Sequence, residues 1–137
     1  MNNITYNKSF PSDPDLLPEI EEYILEIAKK AGLDPEKFNN LALSVSEAAA
    51  NSILHGNNAD AAKEVEITVH YDDKMISIIF KDQGKGFDLK SIPDPTAPEN
   101  ILKDHGRGIH IMKSFLNDIK FNFTPTGTEV TLLLDLH

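Results

Sequence analysis

The sequence predicts an α+β fold: a two-layer α/β sandwich with about three helices on one face of a mixed, mostly antiparallel sheet of about five strands. Three observations carry this. Several short stretches alternate apolar and polar residues, the period of a strand with one buried face. Longer stretches repeat apolar residues at helical spacing. Strand-like stretches also follow one another across short turns, which makes them antiparallel neighbours.

Residues 3–10 alternate, with Ile4, Tyr6 and Lys8 on one face, and read as a strand at a sheet edge that Pro11 and Pro14 break. Asp13 is placed to cap a helix whose apolar positions are Leu16, Leu17, Ile20, Tyr23, Ile24, Ile27 and Ala28, and Gly32 stops it. Asp34 and Pro35 then signal a second helix start. The helix that follows runs through residues 41–56 and is apolar or small around most of its circumference. Residues 65–71 and 75–80 alternate on either side of Asp72-Asp73-Lys74, a hairpin. Residues 82–89 form a glycine-rich turn. Residues 91–100 hold Pro93, Pro95 and Pro98, too many for a helix or a central strand, so a long irregular loop is expected. A helix over residues 106–116 turns Ile109, Met112, Phe115 and Leu116 inward. Two strands, residues 119–123 and 129–136, close the chain around Pro125-Thr126-Gly127.

At 137 residues the chain fits one domain, residues 1–137, with a real core. Its net charge of -9 argues against nucleic acid, which selects basic surfaces, and against a polybasic membrane contact. The absence of cysteine excludes disulfides and thiolate metal sites. No signal peptide and no run long enough to span a membrane is visible, so a cytoplasmic protein is expected.

Chemistry concentrates in four places. In the helix over residues 41–56, Glu47 and Asn51 are four apart and share a face, with Ser44 and His55 in the same arc. A carboxylate in so apolar a helix is either solvated on a surface face or held by a partner. The second place is Asp82-Gln83-Gly84-Lys85-Gly86, directly after a strand. Gly84 and Gly86 let backbone approach a ligand closely, and Asp82 is placed to accept from an amino group of a planar ligand. Taken alone the motif is also compatible with a plain turn. It is neither a dinucleotide-binding fingerprint, since Leu89 replaces the third glycine, nor a P-loop. The third is His105-Gly106-Arg107-Gly108, opening a helix, where unpaired N–H groups favour an anion. The fourth is Gly127-Thr128, a turn entering the last strand, with Thr128 as a cap or a strand residue.

In this order the four motifs resemble the GHKL ATP-binding superfamily with its Bergerat fold, and most closely its anti-sigma-factor serine kinase branch. The resemblance covers essentially the whole chain. It implies ATP and Mg²⁺ as ligands, Glu47 as general base and Asn51 as the Mg²⁺ ligand. It further implies Asp82 as the residue reading the adenine amino group, with Gly84 and Gly86 shaping the adenine pocket. Gly106 and Gly108 become lid glycines beside the phosphates, and Thr128 lies near an adenine-side water. Arg107 is either a phosphate partner or a solvated side chain. A lid over residues 93–105, mobile without nucleotide and more ordered with ATP, also follows. The sequence departs from the branch at His105, where a glycine is frequent, and at Asn117, where an aspartate is frequent. His70 and His110 have no partner pattern and read as structural.

The partners implied are a STAS-domain anti-sigma-factor antagonist, a sigma factor, or both, and the resemblance leaves room for a homodimer. The expected function is an ATP-dependent serine/threonine protein kinase that phosphorylates the antagonist. A nucleotide-dependent module that sequesters a sigma factor with little catalysis is the alternative, and an ATPase-like output domain of another signalling system is a third. A histidine kinase is disfavoured, because no phosphoacceptor helix is present.

Overall fold

The computed structural model describes residues 3–56, 60–83, 115–124 and 127–137. Five strands form one sheet in the order β1-β2-β3-β5-β4: β1 (Ile4–Pro11), β2 (Glu64–Tyr71), β3 (Met75–Lys81), β4 (Asp118–Thr124) and β5 (Gly127–Asp135). Every neighbouring pair is antiparallel, so the mostly antiparallel sheet of about five strands expected from the sequence is found, with no parallel pair among the described strands. Among the described connections, β2–β3 is a tight turn and β1 returns to β2 past helices, and neither requires a parallel crossover.

The register follows from alternation. Ile67, Val69 and Tyr71 of β2 face Phe80, Ile78 and Ile76 of β3, and the latter three face Val130, Leu132 and Leu134 of β5. All of these side chains are buried in one core. A slip by one residue would turn them all to the other face, so burial holds the register. The opposite face carries Thr5, Glu66, Thr68, His70, Ser77 and Thr131, none of them buried. There Thr5 Oγ1 lies 2.8 Å from His70 Nδ1, which gives that histidine the structural place expected of it.

Two helices, α1 (Leu17–Ala31) and α2 (Phe38–Ala50), pack against each other and share the core with the inner face of the sheet. Helix α1 buries Ile20, Ile24, Ile27 and Ala28, the i, i+4, i+7, i+8 stripe. Asp13 caps a 3₁₀ turn, Pro14–Leu16, ahead of α1, its carboxylate accepting from the Asp15 N–H at 2.9 Å. Gly32, at φ 85°, ends the helix: its N–H bonds Lys29 O and the Leu33 N–H bonds Ala28 O, both at 3.1 Å. This is the Schellman arrangement, which only glycine enters without strain. Along the sheet edge, the Lys8 ammonium sits 4.9 Å from the Phe10 ring centre and 5.4 Å from that of Tyr23, joining β1 to α1.

The third helix expected over residues 106–116 lies outside the described residues apart from its last two. The loop over residues 91–100 lies wholly outside them. Just beyond that helix, Asn117 uses both ends of its amide. Nδ2 donates to Asp135 Oδ2 at 2.9 Å, and Oδ1 accepts the Asp135 N–H at 2.7 Å. An aspartate at position 117 would set two carboxylates together, so the amide is matched to Asp135. The far end of β5 is tied to the start of α2: Asp34 N–H bonds Leu136 O, and Lys37 Nζ bonds Asp135 O and His137 O.

In the β2–β3 hairpin, the Asp72 carboxylate accepts the N–H groups of Lys74 at 2.7 Å and Met75 at 2.8 Å. These bonds, to Lys74 first, hold its carboxyl below the usual carboxylate range. A depressed folded-state pKa adds stability that is present above the unfolded value, about 3.9, and is lost as pH falls through the folded one. Asp72→Ala should therefore be less stable than wild type in urea at pH 7. The gap should narrow at the acid end of the curve, and a gap independent of pH would contradict this role.

Candidate functional site

The helix that carries Glu47 and Asn51 does not keep one geometry. It is α-helical through Ala50, and residues Asn51–Gly56 form a π-helix. This corrects the single α-helix expected over residues 41–56. The Asn51 N–H still bonds Glu47 O and Ala48 O, so Glu47 and Asn51 remain on successive turns of one face, as their spacing predicts. Both side chains are half-buried, which is intermediate between a solvated face and a core. Ser44 leaves the arc in which the spacing placed it. It is fully buried, and its hydroxyl donates to Asn40 O at 3.0 Å, a bond within the helix. The wider π turn begins at Asn51 itself, and π segments recur at functional sites because they displace a side chain from the helical stripe.

Asp82 follows the last residue of β3 and is 5% exposed. Its partner is Thr128 on β5, also buried, and the two residues are joined twice. The Asp82 N–H donates to Thr128 O at 3.1 Å, and the Thr128 N–H donates to Asp82 Oδ1 at 3.0 Å. The pair continues the β3–β5 register past Lys81–Glu129. In a regular antiparallel ladder the second bond would end on the Asp82 main-chain oxygen. Here the carboxylate stands in for that carbonyl, so one carboxylate oxygen has a fixed place and the plane of the group is set.

Gly127 makes this possible. A Cβ there would collide with the Asp82 main-chain oxygen and would lie 3.1 Å from Asp82 Oδ1. Nothing short of moving the strand end would relieve that contact. On the other side, Gln83 Oε1 accepts the Glu64 N–H at 2.8 Å, fastening the chain to the start of β2 just before the glycine turn. Two of the four sequence motifs thus have described anchors. The segment led by Asn51 packs against β5, the strand that opens with Gly127 and Thr128.

Of the other expected site residues, Gly84, Gly86, Gly106, Arg107 and Gly108 lie outside the described residues, as do His105, His110 and the side chain of His55. Among the described residues no group of three or more His, Cys, Asp or Glu side chains is placed to hold a metal ion. No helix among them is long and apolar enough to cross a membrane.

Comparison with known proteins gives the family of the chain. Residues 10–134 match the family described as histidine kinase-like ATPase domain. The chain belongs to this family. It is 26% identical over 129 residues to the serine-protein kinase RsbW of Oceanobacillus iheyensis, covering 89% of this chain and 82% of that protein. It is 33% identical over 109 residues to the anti-sigma F factor of Bacillus subtilis, covering 74% and 73%. Among solved structures, the blue-light activated histidine kinase of Erythrobacter litoralis EL346 superposes with a TM-score of 0.60 at 18% identity. That overlap takes in 92% of this chain and 42% of the other, and it concerns the fold. The family's kinase-like ATPase character implies that this chain uses a nucleotide, and its place is with the RsbW and anti-sigma F branch.

One feature escapes the motifs: the close approach of Gly127 to Asp82, positions 45 residues apart in sequence, which no local pattern reports. Because it is steric, Gly127→Ala should destabilise the protein by about 1–3 kcal/mol, the usual cost of forcing a methyl group into packed surroundings. Urea unfolding of the two proteins checks this. Equal midpoints would mean that the Gly127–Asp82 approach is loose.

Proposed function

We propose that this protein is an ATP-dependent serine/threonine kinase that phosphorylates a STAS-domain anti-sigma-factor antagonist and acts in the cytoplasm as an anti-sigma regulatory factor. The observation that carries the reading is the buried Asp82 carboxylate fixed by Thr128, beside a helix bearing Glu47 and Asn51 on successive turns. The relatives' names support both halves of the activity, one set being serine-protein kinases and the other anti-sigma factors. Capture of a sigma factor is accordingly a second activity of the same chain, and residues 1–137 act as one ATP-binding unit.

The residues fit an adenine nucleotide. Asp82 keeps one carboxylate oxygen on Thr128, which orients the group to accept from the exocyclic amino group of adenine. Gly127 leaves no side chain between the strand ends at this point. The resemblance assigns Gly84 and Gly86 to the base pocket and Gly106, Arg107 and Gly108 to the phosphates, where glycine N–H groups and a guanidinium suit an anion. Asn51 offers Mg²⁺ one hard oxygen, a donor set that suits an ion which keeps phosphate and water as its other ligands. When bound, that ion would neutralise charge on the phosphates. Glu47 accepts the proton of the incoming serine hydroxyl as its oxygen attacks the γ-phosphorus and ADP departs. The Mg²⁺ ligand and the base lie one helical turn apart, so they address one reaction centre.

Two expectations follow for variants that fold. Glu47→Ala should lower phosphoryl transfer to a purified STAS partner by about 100–10,000-fold with ATP affinity nearly unchanged, whereas Asn51→Ala should weaken both. Labelled γ-phosphate transfer and calorimetry measure the two quantities. A wild type that binds Mg-ATP yet phosphorylates no STAS partner would leave sigma-factor capture as the function. Asp82→Asn should weaken ATP binding by about 1–3 kcal/mol. Equal calorimetric affinity of the wild type for ATP and GTP would remove Asp82 as the reader of the base.

A further inference from the structure

Away from the strand end that holds Asp82, a groove of about 300 Å³ lies between β1 and helix α1. Its lining combines the half-buried rings of Tyr6 and Tyr23, the buried Ile27 and the exposed Glu19, Glu22 and Glu26. The helix runs along the strand in the opposite sense. Tyr23 meets Phe10 edge-on at 5.6 Å between ring centres, and the later Lys30 sits 5.8 Å from the centre of the earlier Tyr6. The glutamates follow one another at i, i+3 and i+7 and so share one stripe of α1. None of their carboxylates has a hydrogen-bond or ion-pair partner among the described residues. Lys30 is the one cation in the lining, and it lies over the Tyr6 ring.

The strand beside the groove is open to pairing. β1 ends the sheet, with β2 as its one neighbour among the described strands. The Ser12 N–H bonds Lys63 O and continues the β1–β2 register, so Ile4, Tyr6, Lys8 and Phe10 turn their main-chain groups toward β2. The N–H and C=O groups of Thr5, Asn7 and Ser9 therefore point out of the sheet. A lysine often guards such an edge. Here Lys8 folds inward instead, 4.9 Å from the Phe10 ring centre and 5.4 Å from that of Tyr23. The aromatic wall thus attracts cations, while the carboxylates beside it keep theirs unmatched.

We propose that the β1 edge and this groove dock an extended, basic segment of a protein partner, which pairs with Thr5, Asn7 and Ser9 as an added strand. Charge decides the occupant: the lining holds three carboxylates against one ammonium, in a chain of net charge -9. Spacing agrees with it. Side chains on one face of a strand recur every ~6.7 Å, and Glu22 and Glu26 are separated by ~6 Å along the helix axis. Cations at alternate positions of the added strand can therefore meet both carboxylates, with their stems on Tyr6 and Tyr23. Main-chain bonds to the edge supply affinity, and the groove supplies selection for basic side chains.

The test uses the full chain, ¹⁵N-labelled, and a short capped peptide alternating arginine and valine. Its glutamate counterpart and a copy N-methylated along one edge serve as controls. We expect the arginine peptide alone to bind and to slow amide exchange at Thr5, Asn7 and Ser9. Glu22→Gln with Glu26→Gln should weaken that binding about fivefold, the loss of two exposed ion pairs. Glu36→Gln with Asp73→Asn removes the same charge elsewhere on the surface and should change it little. An equal loss in the two double variants would overturn the proposal, since attraction would then be to net charge alone. Unslowed exchange at the three edge amides would overturn it as well. So would self-association of the wild type that protects them without peptide, because a second copy would then be the occupant.

Discussion

The carboxylate of Asp82 stays buried because the neighbouring strand offers it a main-chain N–H. That bond couples three otherwise independent demands. β3 and β5 must meet in one register, so that position 128 lies opposite position 82. Position 127 must carry no side chain, so that the two strand ends can close. And the core must hold both strands still, which Ile78, Phe80, Val130 and Leu132 do from the inner face. A carboxylate placed this way loses hydration, and the Thr128 N–H compensates at a fixed position.

Against this rigid sheet end stands a helix that changes its own hydrogen-bond register. The α-helical part of α2 buries Leu41, Val45, Ala48 and Ala49 and sets Glu47. The π turn starting at Asn51 packs against β5 and still buries Ile53 in the common core. The half of the candidate site proposed to read the base is thus built on strands, and the half proposed to carry the reaction on a helix. Such a division gives precise positions to both, since neither depends on a loop for its described anchors. The segments between them, residues 84–114, hold the remaining motif glycines.

Much of this was legible in the sequence because it depends on local chemistry. Alternation in residues 65–71 and 75–80 fixes which face is buried. Gly32 and Asp72 sit at turns where only their own conformational freedom or short carboxylate suffices. The edge position of β1 follows from its polar outer face and the proline that ends it. What was not legible depends on distance or on bond register. Nothing local distinguishes an α from a π turn at Asn51, because the residue types suit both. The Gly127–Asp82 approach joins residues far apart in sequence. The match of Asn117 to Asp135 depends on β4 and β5 pairing so that the two side chains meet, and it turns an apparent departure from the branch into a structural clip.

If the Asp82–Thr128 pair and the Glu47–Asn51 helix form one nucleotide site, titration of ¹⁵N-labelled protein with Mg-ADP should move the amide shifts of Asp82, Thr128 and Asn51 together along one binding curve, while those of Thr5 and Asn7 on the distant edge strand stay in place. Saturable binding that leaves Asp82 and Thr128 unmoved would put the nucleotide elsewhere and contradict a single site.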